Sequence, residues 1–255
     1  HAQYPGKVPE IEFPHIPSYN IPLGSLIPEK IDGLIVCEKG ISVTNIVNGT
    51  TRLQPVVLLT GQAAGVLAAK SIKEKKRIRD ISVRSVQEEL LKAKCYLMPF
   101  VDVKPDDPAW EAIQKVGVTG ILKGVGKSEA WANKLFFYPD SLVMGPEFGT
   151  GMRKYAGLYM NYYRGYSGDT VTITKAFGLL KRVRPFFKTS EFRNMIKVNE
   201  LENKWGSWGL KNFNSERAIT REELSIMLNK CILLFGSKNL LLDINGKLNF
   251  VISQF

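Results

Sequence analysis

The chain has 255 residues, of which 44% are hydrophobic and 23% charged. That is the composition of a globular protein with material for one large or two ordinary domains. Its formal charge of +11 invites a nucleic-acid partner. The charges are scattered, however. The one compact cluster, Lys70, Lys73, Lys75, Lys76, Arg77 and Arg79, follows an apolar helix and reads as its solvated C-terminal end, so nucleic acid is set aside as a partner. Cys37, Cys95 and Cys231 are far apart and form no C-x-x-C pair, which excludes a zinc site or a disulfide framework. With two histidines, His1 and His15, a His-based metal site or triad is not expected either.

The chain opens "HAQYPGKVPEIEFPHIPSYNIP", without a starting methionine or a signal peptide, and is expected to be a processed chain or a fragment. Residues 1 to about 30 carry Pro5, Pro9, Pro14, Pro17, Pro22 and Pro28 among bulky apolar residues. Such a segment has few amides for a ladder and is expected to lie extended over another surface. In "DGLIVCEKGIS" the run Leu34 to Cys37, bounded by Gly33 and Gly40, predicts a buried strand feeding a glycine turn. "NIVNGTTRLQP" follows as a polar loop. "LQPVVLLTGQAAGVLAAKSIKEKK" then predicts a helix beginning near Pro55, with Gly61 and Gly65 placed where glycine weakens it. Something must approach that backbone closely. Its apolar run, Val56 to Ala69, is interrupted by Thr60, Gly61 and Gln62 and falls short of the roughly 20 residues of a membrane span.

"ISVRSVQEELLKAK" predicts a second helix, capped by Ser82, with Val83, Val86 and Leu90 on one face. In "FVDVKPDDPAWEAIQKVGVTGILKG" a helix is expected with Asp107 as cap, Pro108 first, and Trp110, Ile113 and Val116 on one side. "TGILKGVGKSEAW" ends like a phosphate loop at Gly126, Lys127 and Ser128. Ile121 occupies the position where that loop needs glycine, and a helix rather than a strand precedes it, so it reads as a turn with glycines at positive φ. "ITREELSIMLNKC" carries a capping box, Thr220 with Glu223, and an apolar stripe of Leu224, Met227, Leu228 and Cys231. A weak internal echo links "LVMGPEF" (142–148), "VTITKAF" (171–177) and "RAITREEL" (217–224). Each puts a β-branched residue just before a cap position, which predicts short repeated helical units.

Two resemblances organise these elements. The run "YNIPLGSLIPEKIDGLIVCEKGISVTNIVNGTTRLQPVVLLTGQAAGVLAA" resembles the C-terminal part of the flavin-binding domain in FAD-dependent oxidoreductases of the glutathione-reductase structural class. The resemblance implies FAD as cofactor, a helix N-terminus aimed at the flavin ring, and hydride transfer with an organic substrate. It places Arg52, Leu53 and Gln54 at the flavin edge, with Gly61, Gln62 and Ala63 following in the helix. It puts Glu38 on the ribityl hydroxyls, although Cys37 stands where the family has a glycine. Asn45, Asn48 and Thr51 are candidates for the substrate rim, and His1 is the one candidate for a catalytic role. The G-x-G-x-x-G fingerprint that cradles the FAD diphosphate is absent from the chain.

The second half, with Phe100, Asp102, Val103, Trp110, Ala112, Ile113, Gly120, Ile121, Gly124, Phe137 and Pro139 in order, is similar to an S-layer-homology repeat. "ITREEL" is similar to the helix start of a later copy and "LLLDING" to the opening of another. This implies a cell-wall polysaccharide partner and an extracytoplasmic location. The fold class expected is α+β: residues 1–97 as the C-terminal part of a flavoprotein α/β domain, residues 98–255 as a mainly α-helical repeat-like domain. The function expected is the C-terminal portion of an FAD-dependent oxidoreductase acting on a small-molecule or carbohydrate substrate. The alternatives are a non-enzymatic surface module that binds polysaccharide and, more remotely, a polysaccharide-degrading enzyme of the kind labelled xanthan lyase.

Overall fold

The computed structural model describes residues 18–129, 132–156, 169–182, 190–195, 197–232 and 234–235. The proline-rich opening as far as Pro17, both histidines and "LLLDING" lie outside the described residues. Among the described residues the architecture is helical with one small two-stranded sheet, a mixed α+β arrangement.

The first half is built on α1 (Asn45–Thr51), α2 (Gln54–Glu74) and α3 (Val83–Lys92). Ser82 caps α3 by accepting from the Ser85 amide, as its sequence predicts. Val57, Thr60, Ala64 and Leu67 recur at helical spacing and give α2 one buried face. Leu67 packs with Ile27, Ile81, Val86, Leu90 and Cys95, while Ala64 joins Leu26 and Ile41. The predicted strand at Leu34 to Cys37 does not form. The segment is extended, but Val36 N–H donates to Leu26 O at 2.8 Å without a ladder beside it, and Leu34 is exposed. An apolar run becomes a strand only where a neighbour supplies the other half of the ladder.

The basic cluster is largely engaged. Lys70 and Lys76 both reach Glu74, Arg77 pairs with Asp80, and Arg79 binds Asp32 Oδ1 at 2.9 Å and the backbone carbonyls of Pro28 and Glu29. Arg79 thus holds a loop rather than facing outward.

The second half comprises α4 (Trp110–Thr119), the antiparallel hairpin β1 (Val125–Glu129) and β2 (Ala132–Phe136), α5 (Gly145–Ala156), α6 (Ile173–Arg182), α7 (Ser190–Asn194), α8 (Val198–Trp205) and α9 (Arg221–Cys231). Asp107 is not the cap of α4. Its carboxylate accepts from Ala109 N–H at 2.7 Å in a turn, and the helix starts at Trp110. Of the glycines read as a positive-φ turn, Gly120 has φ +72°, but Gly126, Lys127 and Ser128 lie in strand β1. Phe100 fills the space beside Gly117 and Gly124, where a Cβ would come within 2.7 Å of its ring.

The three echoing segments meet. Val143 N–H donates to Ile219 O at 3.0 Å, Ile219 N–H to Val171 O at 2.9 Å, and Val171 N–H to Val143 O at 2.8 Å, closing a cycle. A second cycle surrounds it: Gly145 N–H to Asp169 O, Ile173 N–H to Arg217 O, and Arg221 N–H to Ser141 O. In each unit the helix, α5, α6 or α9, begins two residues after the central one. Thr172 and Thr220 accept from amides three residues on, and Met144 takes that position in the first unit. The three units are therefore related by a pseudo-three-fold arrangement around Val143, Val171 and Ile219, all buried.

Candidate functional site

The corner between α1 and α2 collects most of the residues singled out in the first half. Thr44 caps α1 by accepting from Val47 N–H, and Thr50 Oγ1 donates back to Val47 O at 2.8 Å. The Tyr19 hydroxyl bonds Thr50 from outside. Arg52 ends α1, Leu53 turns extended with φ −68° and ψ 138°, and α2 starts at Gln54 with Pro55 in its first turn. Proline is suited to that place because its missing amide would have had no partner.

The first amides of a helix have no carbonyl within it to bond. At the start of α2, Pro55 has no amide and Val57 N–H donates to Leu53 O at 3.0 Å, which leaves Gln54 and Val56 as the helix-end donors. They lie at the positive end of a 21-residue dipole. Arg52, Leu53, Gln54 and Pro55 are all exposed around them.

The structure distributes the sequence candidates unevenly. The short 3-10 turn Glu38–Gly40 packs against both α1 and α2, which brings exposed Glu38, at φ +61°, to the same corner. Asn45 is exposed at the start of α1, and Asn48 is half-buried. Thr51 is buried and lies beneath a rim rather than on it. The side-chain oxygens of Asn48 (Oδ1) and Thr51 (Oγ1) are buried without a hydrogen-bond partner. Gly61, Gln62 and Ala63 sit two turns into α2, about 10 Å along the axis from its start at 1.5 Å per residue. Their amides belong to the helix ladder, so any approach there is to the helix side and not to its end. Nothing lies within 4 Å of a Cβ built on Gly61 or Gly65.

Sequence reasoning missed Val56 as a donor, although Pro55 signalled it. It also missed the open face of α2. Leu58 is 73% exposed and Ile72 79% exposed, although the 21-residue helix holds an 18-residue window of mean hydropathy 1.4, apolar enough to pass as a membrane span. The sequence had suggested a run too short for that. Its other face is buried through Val57, Thr60, Ala64 and Leu67, the last two within the first-half core.

In the second half Arg221, the residue at the S-layer-like helix start, is 6% exposed. Its Nε donates to Phe137 O at 2.7 Å, its Nη1 to Glu147, its Nη2 to Lys123 O, and its guanidinium lies 4.6 Å from the Phe137 ring centroid. Asp102 accepts from Phe137 and Tyr138 amides at 2.7–3.0 Å. The motif positions Phe100, Asp102, Phe137 and Arg221 hold one another. None of them is turned outward as a polymer contact.

Residues 1–90 match the family model described as FAD dependent oxidoreductase. The match spans both α1 and α2 and supports FAD as the cofactor of this segment. No curated protein and no solved structure matches the chain.

The described residues fit one end of such a cofactor. Two helix-end amides and exposed Arg52 would suit the polar edge of a flavin ring, with exposed Leu53 beside them. Among the described residues nothing resembles a diphosphate cradle.

Proposed function

We propose that residues 18–92 contribute the flavin-ring end of the site in an FAD-dependent oxidoreductase of the glutathione-reductase class, which moves a hydride between an organic substrate and the flavin. The observation that carries this reading is the exposed start of α2 at Gln54, set against α1 and the Glu38 turn within the segment that matches the family. FAD supplies the hydride-accepting centre at flavin N5. The chain's part is electrostatic and positional. Gln54 and Val56 amides and the Arg52 guanidinium would favour the negative charge that a reduced flavin carries at its N1 edge. Leu53 would lie against the ring, and Glu38 would accept from ribityl hydroxyls. Asn45 and Asn48 would face the substrate side. No residue of this half is assigned as a general base.

The test is the visible spectrum of the full chain isolated with whatever it holds in its own cells. Flavin absorption is expected. Gln54→Pro removes one helix-end donor at a position that tolerates proline, and it is expected to make the bound flavin harder to reduce. A colourless preparation, or a flavin whose potential ignores both Gln54→Pro and Arg52→Ala, overturns the reading.

A further inference from the structure

Helix α1 has little of its own to hold it. Its seven residues are fewer than the roughly 12–15 that a helix needs to stand alone in water. It packs on α2 and on the Glu38 turn, but Thr51 is its one buried residue and Ile46 is 67% exposed. The helix ends at Arg52, beside the start of α2, so whatever fixes α1 also fixes that corner. A bond from outside reaches it at Thr50. Thr50 spends its one hydroxyl proton on Val47 O, so the Tyr19 hydroxyl is the donor in the bond between the two side chains.

The residues on either side of Tyr19 reach elsewhere. Ser18 Oγ donates to Asn133 O of β2 at 3.2 Å, and Asn20 Nδ2 donates to Leu97 O at 2.8 Å and to Met98 Sδ at 3.1 Å. Three successive side chains thus bond the hairpin, α1 and the junction between the halves, with the alternation of an extended segment, whose neighbours point to opposite faces. The amides of Leu97 and Met98 are in turn accepted by Gln114 Oε1 of α4. A line of hydrogen bonds therefore runs from α1 through Tyr19 and Asn20 to a buried side chain of the second half. Each surface bond is weak alone, since water competes for its partners. On one short piece of chain they reinforce one another: with Ser18 and Asn20 held, Tyr19 has less freedom left to lose in reaching Thr50.

We propose that residues 18–20 are a strap by which the second half sets the position of α1. Anchorage at Asn133 and Leu97 orders the strap, and the ordered Tyr19 pins α1 at Thr50. The consequence for the site, that the second half steadies Arg52 at the cofactor's edge, rests on the FAD-oxidoreductase reading of that corner. The coupling itself does not.

Hydrogen exchange of the purified full chain tests this with two small changes. Tyr19→Phe keeps the ring and removes the donor. The amides of Asn48 and Arg52, which bond Thr44 O and Asn48 O along α1, should then exchange about two- to tenfold faster, as the loss of one hydrogen bond implies. Asn20→Ala removes a side chain whose bonds go to Leu97 and Met98, yet it should speed exchange at the same two amides of α1. In the double variant the two effects should fall well short of multiplying, because both release the same strap. Unchanged exchange at Asn48 and Arg52 in either single variant, or effects that multiply in full, overturns the proposal. The measurement needs no flavin. A colourless preparation that shows the coupling keeps the strap and discards the oxidoreductase reading, whereas a yellow one without the coupling does the reverse.

Discussion

Nη1 of Arg221 lies 2.6 Å from both carboxylate oxygens of Glu147. One residue opens the helix of the third unit and the other sits in the first turn of the helix of the first unit, so the pair ties two of the three units together. The arginine's remaining donors go to the backbone carbonyls of Phe137 and Lys123, on either side of the hairpin β1–β2. Removing it takes the charged partner from Glu147, which keeps only the Lys123 amide among the bonds described, and a donor from each of two carbonyls.

Arg221→Ala is therefore expected to cost about 3–5 kcal/mol of stability, as the breaking of a buried pair does. A urea titration followed by tryptophan fluorescence checks it. An unchanged midpoint together with lost retention on insoluble cell-wall material would make Arg221 a ligand contact instead.

Glycine is indispensable at one position and dispensable at another. A Cβ at Gly151 would stand 1.9 Å from Ile121 O, which is backbone and cannot swing away. Gly151→Ala should sharply destabilise the second half, seen as a lower thermal midpoint. Gly61→Ala meets nothing, and by helix propensity it should gain up to about 1 kcal/mol. Equal midpoints for the two variants would contradict the close approach of α5 to Ile121.

The stretch between the two halves is held by the side chains of Gln114 and, from earlier in the sequence, Asn20, which donates to Leu97 O at 2.8 Å. Gln114 is fully buried, its Oε1 accepts from the amides of Leu97 and Met98 at 2.8 and 2.7 Å, and its Nε2 donates to Met98 O at 3.0 Å. Leu97 in turn packs on the cores of both halves. Gln114→Leu leaves the amides of Leu97 and Met98 without an acceptor, while Met98 O keeps the Phe100 amide, at about 1–3 kcal/mol for each amide that water cannot reach. Hydrogen exchange at Leu97 and Met98 should rise in the variant, and unchanged protection there would show that other contacts hold the junction.

Neighbouring glutamates on α9 should give opposite responses to acid. Burial pushes the Glu223 carboxyl up, but the Arg217 guanidinium and the Thr220 backbone amide outweigh it and hold the group below its ordinary 4.5. Its stabilising contribution is present above 4.5 and is lost as pH falls through the depressed value. For Glu222, burial first and then the charges of Asp107, Asp140 and Glu223 raise the group above 4.5, so its ionisation opposes folding at neutral pH and the opposition fades on acidification. The thermal midpoint of Glu222→Gln relative to the parent should therefore fall as pH drops through this region, while that of Glu223→Gln should rise. Parallel responses would contradict the assignment.

What was legible in the sequence is what depends on neighbours along the chain. The Thr220–Glu223 box, the Ser82 cap and the stripes through Trp110 and Leu224 are local patterns, and they appear as read. The echo around Val143, Val171 and Ile219 was visible as a pattern. That these three residues bond to one another was not, because nothing local specifies pairing across spans of 28 and 48 residues. The strand expected at Leu34 failed for the same reason, since extended backbone needs a partner from elsewhere. Around the corner between α1 and α2 the chain order of the candidate residues was legible. The displacement of Gly61 from the helix end turned on Gln54 and Pro55 already being helical.

The double cycle through Val143, Val171 and Ile219 also fixes a number. A stack of repeats can grow or shrink at its ends, because each member touches only its neighbours. Here each unit's amide and carbonyl are spoken for by the other two, so a fourth copy would find no place to join and two copies would leave bonds open. Duplication, the easiest route by which repeat proteins enlarge, is closed to this half of the molecule.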